Sequence, residues 1–204
     1  MIKYLTLAFE YIVREFIMER FEVDKEVEEK VNQILQKVTK LSFEDILSYA
    51  LKSEEEAIQL YKFLSQKLEE PHAKMKFEQF IKMEKEHKER ILGIFNELFP
   101  NKKPSKSPSA TWVEISTEIK PDIKTVKDYL EVLKVAIQAE KLAENIYKFI
   151  AKNLSDEEYK NIFLALAEEE KEHYDFLKDQ YRFYKRAKAE ESMHEMMDKL
   201  LRKE

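Results

Sequence analysis

Glu84-Lys85-Glu86-His87 stands in the first half of the chain, and Glu170-Lys171-Glu172-His173 repeats it in the second. Upstream of each copy lies a longer pattern: Ala50, Glu54, Ala57 and Tyr61 in one case, Ala136, Glu140, Ala143 and Tyr147 in the other. Every pair is separated by the same 86 residues. Apolar residues flank both tetrapeptides at helical spacing, with Phe77, Phe80, Ile91 and Phe95 around the first and Ile162, Phe163, Leu166, Phe176 and Leu177 around the second. A chain duplicated in this way reads as two helical hairpins that pair into an all-α four-helix bundle.

Composition points the same way. One Gly and five Pro among 204 residues leave little for strand turns. With 38% charged and 44% hydrophobic residues, the chain suits long amphipathic helices. The net charge of -5, with basic residues dispersed among acidic ones, argues against nucleic acid as a partner. The absence of cysteine excludes disulfides, thiolate-bound zinc, iron–sulfur clusters and thiol nucleophiles, so any metal must be held by oxygen and imidazole nitrogen. The apolar start of the chain is interrupted by Lys3, Glu10, Arg14 and Glu15, too many charges to cross a bilayer. It also lacks a small-residue cleavage site. No membrane association and a cytoplasmic location are expected.

Residues 1–42 are expected to form a helical extension. One helix covers 2–21, with Tyr4, Leu5, Ala8, Tyr11, Ile12 and Phe16 on one face; a second covers about 24–39, opened by Asp24 and striped by Val27, Val31, Ile34, Leu35 and Val38. The bundle is expected over 43–182. Ser42 and Asp45 have capping-box spacing at its start. The first helix runs to about Glu69, and Pro71 opens the second, which continues to Phe99. Segment 100–124, punctuated by Pro100, Pro104 and Pro108, has no helical period. It reads as a crossover as long as the bundle, anchored by Trp112, Val113 and Ile115. The third helix covers about 125–153. The fourth follows Ser155 as N-cap, with Glu158 completing a capping box, and runs to about 182. Residues 183–204, with Met193, Met196, Met197, Leu200 and Leu201, read as a C-terminal helical extension.

A lone Glu-x-x-His carries little weight in this chain, because all four histidines have Glu three positions before them. His72 follows Pro71 at a helix junction, and Glu191 with His194 lies in the tail without a matching partner; both histidines read as surface residues. The pairs Glu84/His87 and Glu170/His173 differ in lying mid-helix on apolar stripes. Each also has a Glu at matching depth on its hairpin partner. Glu54 lies about 17 residues before the first turn, and Glu84 and His87 about 13 and 16 after it, so at about 1.5 Å per residue the three share a level. Glu140, Glu170 and His173 repeat this arithmetic. Side chains at i and i+3 project from one face and can close on one centre. Four carboxylates in an apolar core would protonate unless cations were supplied. Two divalent ions would neutralise them with both imidazoles neutral. Glu54, Glu84, His87, Glu140, Glu170 and His173 are therefore candidate ligands of two metal ions. The mixed oxygen and nitrogen set suits iron or manganese, with zinc or cobalt also compatible.

At these residues the chain resembles the ferritin-like di-iron carboxylate proteins, and within them the rubrerythrin-like group, over roughly residues 43–182. The resemblance implies a ferritin-like bundle holding two iron ions. It implies Glu54 and His87 as terminal ligands of one, Glu140 and His173 of the other, and Glu84 and Glu170 as bridges. Tyr61 and Tyr147 match the family's tyrosines beside the site, which hydrogen-bond to ligand carboxylates; core packing is the plainer reading of both. Three departures stand out. The second Glu that rubrerythrins carry on the third helix is Ala143 in this chain, with Glu144 one step off the face. A Cys-rich iron domain is impossible without cysteine, so electrons must come from an external donor. Lys85 and Lys171 replace the haem-binding Met of bacterioferritins, so no haem is expected.

Three functions follow from such a site. The first is an oxidoreductase reacting with peroxide or dioxygen, in oxidative-stress defence. The second is ferrous iron oxidation and storage. The third is a non-catalytic module stabilised by metal. The crossover and terminal helices suit a homodimer or higher homo-oligomer.

Overall fold

The computed structural model describes residues 25, 27–68, 71–105 and 125–201. The expected helix over 2–21, the Asp24 cap and the anchors Trp112, Val113 and Ile115 lie outside the described residues. The described chain is all-α. A short helix, α1, spans 27–38. Two hairpins follow, α2 (Phe43–Lys67) with α3 (Pro71–Leu98) and α4 (Val126–Asn153) with α5 (Glu157–Leu201).

Local chemistry sets the helix ends. Ser42 caps α2 by accepting from the Asp45 backbone N–H. Pro71 is the first residue of α3, where a missing N–H costs no hydrogen bond. Thr125 opens α4 in a reciprocal capping box with Asp128. At α5 the expectation needs correction. Asp156, and not Ser155, is the cap: its carboxylate accepts from the N–H groups of Glu158 at 2.8 Å and Tyr159 at 3.2 Å, and its carbonyl accepts from Lys160. A charged acceptor gains from the positive end of the helix as well as from the hydrogen bonds. Nor does α5 stop near 182. It runs on as one helix of 45 residues, roughly 68 Å at 1.5 Å per residue, so 183–201 continue the fourth helix directly. Beyond Tyr184, which meets Tyr129 edge-on at 4.7 Å, its described side chains are half-buried or exposed.

Cross-helix contacts give the topology. Glu55 with Lys88 and Ser65 with Glu78 make α2 and α3 antiparallel. Phe77 with Phe176 and Glu97 with Tyr159 make α3 and α5 antiparallel. Since α4 and α5 form a hairpin, α4 runs parallel to α3, and the end of α3 and the start of α4 lie at opposite ends of the bundle. Beyond α3, the Ser105 N–H donates to Ser48 Oγ near the beginning of α2.

The inward stripes meet in one core. Leu47, Tyr49, Leu64, Phe77, Phe95, Leu133, Ile137, Ile150 and Phe163 are fully enclosed, and Val27, Val31 and Val38 attach α1 to the same cluster. Each large apolar side chain buried this way contributes about 1.5–3 kcal/mol. The Asp156 cap is testable by urea unfolding. Asp156→Ala should cost about 1 kcal/mol, whereas Ser155→Ala should leave the midpoint nearly unchanged.

Candidate metal centre

Six of the buried polar side chains in this core cluster together. Glu54 from α2, Glu84 and His87 from α3, Glu140 from α4, and Glu170 and His173 from α5 are each 3% exposed or less. They lie mid-helix, so every backbone N–H and carbonyl around them is used within the helix and only the side chains are left to react. Glu54, Glu84, His87 and Glu170 place one donor atom each within 4.8 Å of one another; so do Glu84, Glu140, Glu170 and His173. Glu84 and Glu170 belong to both sets. His87 Nδ1 lies 3.0 Å from Glu84 and 2.9 Å from Glu170. His173 Nδ1 lies 2.9 Å from Glu84, 3.4 Å from Glu170 and 3.7 Å from Glu140. The two imidazoles face each other nearly parallel, 5.9 Å apart.

Electrostatics divides the six into three pairs. Burial, then the Glu170 and Glu84 charges, push the Glu54 carboxyl well above the usual range. Burial and Glu170 push Glu140 to about 8. Burial also acts against Glu84 and Glu170, yet the imidazoles beside them prevail and hold both below the usual range. Burial disfavours charge on His87 and His173, but the surrounding carboxylates win and raise both imidazoles. Without cations the site therefore balances itself with protons: Glu54 and Glu140 neutral, Glu84 and Glu170 ionised, both imidazoles charged. The oxygens of Glu84 and Oε2 of Glu170 meet the imidazole Nδ1 atoms at 2.9–3.4 Å but outside good hydrogen-bond angles, and His173 Nε2 has no hydrogen-bond partner among the described residues. Buried carboxylates converging on one space fit a cation site, and two divalent ions would replace the protons charge for charge.

Neighbouring groups divide by what they reach. Tyr61 Oη donates to Glu140 across the bundle. Tyr147 Oη has no partner among the described residues. Glu144 is turned away and held by Lys141 at 2.8 Å and by Lys148. His72 and His194 are exposed, away from the cluster. Glu169 was not legible in the sequence. Its Oε2 lies 2.6 Å from His87 Nε2, and its Oε1 accepts from Arg90 at 3.2 Å. Within Glu168-Glu169-Glu170 it reads as part of a solvated charge run, and only the rotation of α5 against α3 selects it.

The carboxylates are reached from between α2 and α4. Ser53, Ala57, Ala139 and Ala143 line a small cavity with Glu54, Glu84, Glu140 and Glu170. The space open to a water centre is about 10 Å³, on the order of one water molecule. Short side chains make this opening, and they recur at the 86-residue offset, Ser53 with Ala139 and Ala57 with Ala143.

The family model for rubrerythrin matches residues 45–181, and matches again over 131–204. A solved structure of a hypothetical protein from Pyrococcus furiosus is similar at 25% identity and a TM-score of 0.65, over 74% of this chain and 94% of that one. A search of curated proteins finds no match.

The proton balance has measurable consequences. Glu140, raised from 4.5 to about 8, contributes stability that is full below 4.5 and lost as pH rises through 8. The raised imidazoles act in the same direction above 6.5. The lowered carboxylates matter only below 4.5. The Tm of the metal-free protein should therefore fall between pH 5 and 8. Filling the site near pH 7 should release about four protons per two cations, which calorimetry in buffers of differing ionisation enthalpy would count.

Proposed function

The chain belongs to the rubrerythrin family, and we propose that it is a di-iron oxidoreductase acting on peroxide or dioxygen. The observation that carries this reading is two overlapping ligand sets joined by Glu84 and Glu170, beside a cavity of molecular size. Glu54 and His87 would hold one ion and Glu140 and His173 the other, with Glu84 and Glu170 shared between the two sets. Two ferrous ions bound there would supply one electron each for reduction of the oxygen substrate.

The protein's own part is positional. The carboxylates bring the two ions together and accept changes in their charge. The Tyr61 hydroxyl steadies Glu140 from the opposite hairpin. Ala57 and Ala143 keep side-chain bulk away from the water-sized space beside the carboxylates, where a small oxygen substrate would approach. The Ser53 hydroxyl, buried and without a partner among the described residues, faces the same space and can hydrogen-bond the incoming oxygen. Reduction of hydrogen peroxide to two waters takes two electrons and two protons. With no cysteine in the chain, an external donor must return the electrons.

Anaerobic loading with ferrous iron, followed by stopped-flow mixing with peroxide or dioxygen, tests the reading. An optical change with either supports it, and none with both would sink it. Glu84→Ala with Glu170→Ala should reduce binding below two ions per chain; full stoichiometry would refute the ligand assignment. Ala57→Leu with Ala143→Leu should narrow the opening and slow the reaction without changing the stoichiometry.

A further inference from the structure

The two halves of the site share their ligands, but the groups behind the two imidazoles differ. On the first imidazole, His87, Nε2 lies 2.6 Å from Glu169 Oε2, and Glu169 is itself held by Arg90 at 3.2 Å. A carboxylate only accepts, so this contact places a proton on Nε2. Once the ring gives up its second proton to become neutral, Nδ1 carries the lone pair and faces Glu54, Glu84 and Glu170. The ring is set in the tautomer and orientation that a cation requires.

His173 has no such support. Its Nε2 is buried without a hydrogen-bond partner among the described residues. The Phe80 ring lies 4.0 Å from its own, with Phe176 5.3 Å from Phe80. The 86-residue offset gives the cause: Glu169 corresponds to Met83, and Arg90 corresponds to Phe176. The polar pair of one half is a thioether and an aromatic ring in the other. A neutral His173 gains most by keeping its proton on Nδ1, 2.9 Å from Glu84. To offer Nδ1 to a cation it must move that proton to Nε2, where no described residue accepts it.

We infer that the two metal positions are unequal, and that Glu169 is the positioning residue that makes the Glu54/His87 position the tighter, first-filled one. This rests on the dimetal reading above. Partners that orient a ligating imidazole typically change metal affinity by about 10- to 100-fold, and a gap of that order is expected between the two positions.

Calorimetric titration of the full metal-free chain with Co²⁺ tests it. The expected result is two steps of one ion each, separated by about 10- to 100-fold. Anomalous diffraction at one equivalent of Co²⁺ should place the ion beside Glu54 and His87. Glu169→Ala should weaken the first step by about the same factor and leave the second in place. Glu169→Gln, which keeps an acceptor oxygen for Nε2–H, should recover part of the loss. Two ions bound with equal occupancy at one equivalent, or a first step unmoved by Glu169→Ala, would overturn the inference while leaving the dimetal site intact. Fewer than two ions on the unaltered chain would overturn the dimetal reading itself, and this inference with it.

Discussion

Four carboxylates cannot share an apolar core unless positive charge is placed among them. The rest of the structure answers to that constraint. Two hairpins bring one Glu each from α2 and α4, and a Glu with a His from α3 and from α5, to a single level. Protons on Glu54, Glu140 and the two imidazoles can supply the balance, and so can two divalent cations. The exchange of one for the other links the site to both pH and metal. Tight helix packing would make it rigid. The short side chains at Ser53, Ala57, Ala139 and Ala143 leave one side open.

Duplication explains the candidate ligands but not their surroundings. Glu54 matches Glu140, and Glu84 with His87 matches Glu170 with His173. The second layer has diverged. Phe80 faces His173, whereas the position equivalent to Phe80 in the second half is Leu166. Tyr61 reaches Glu140, whereas Tyr147 reaches no described acceptor. Chemistry that uses the two metals in different roles would select for such divergence, because identical ligands can still differ through what holds them.

Much of the fold could be read from particular residues. Ala50, Glu54, Ala57 and Tyr61 of the first copy, and Ala136, Glu140 and Tyr147 of the second, are buried as their spacing requires. Ser42 caps its helix because a hydroxyl three residues before an acid has one local use. The fourth helix was harder. Ser155 and Asp156 are both capping residues, and the choice between them is a contest of neighbouring geometries that composition does not rank. Its length was illegible for a related reason: no Gly or Pro falls between Glu157 and Leu201 to stop it, and a helix without a stop signal continues wherever its polar faces remain solvated.

By itself the sequence determined the helical character of the described chain, the hairpin pairing and the six Glu and His residues that cluster in the core. All of these follow from short-range periodicity and from a repeat offset, which helix geometry converts directly into depth and face. Only the tertiary structure decided that Glu169 stands behind His87, that Tyr61 bonds to Glu140 of the other hairpin, that Glu144 turns to Lys141 and Lys148, and that the opening lies between α2 and α4. Those contacts depend on how each helix is rotated against its neighbours. That rotation is set by the packing of the whole core, and no local pattern in the chain encodes it.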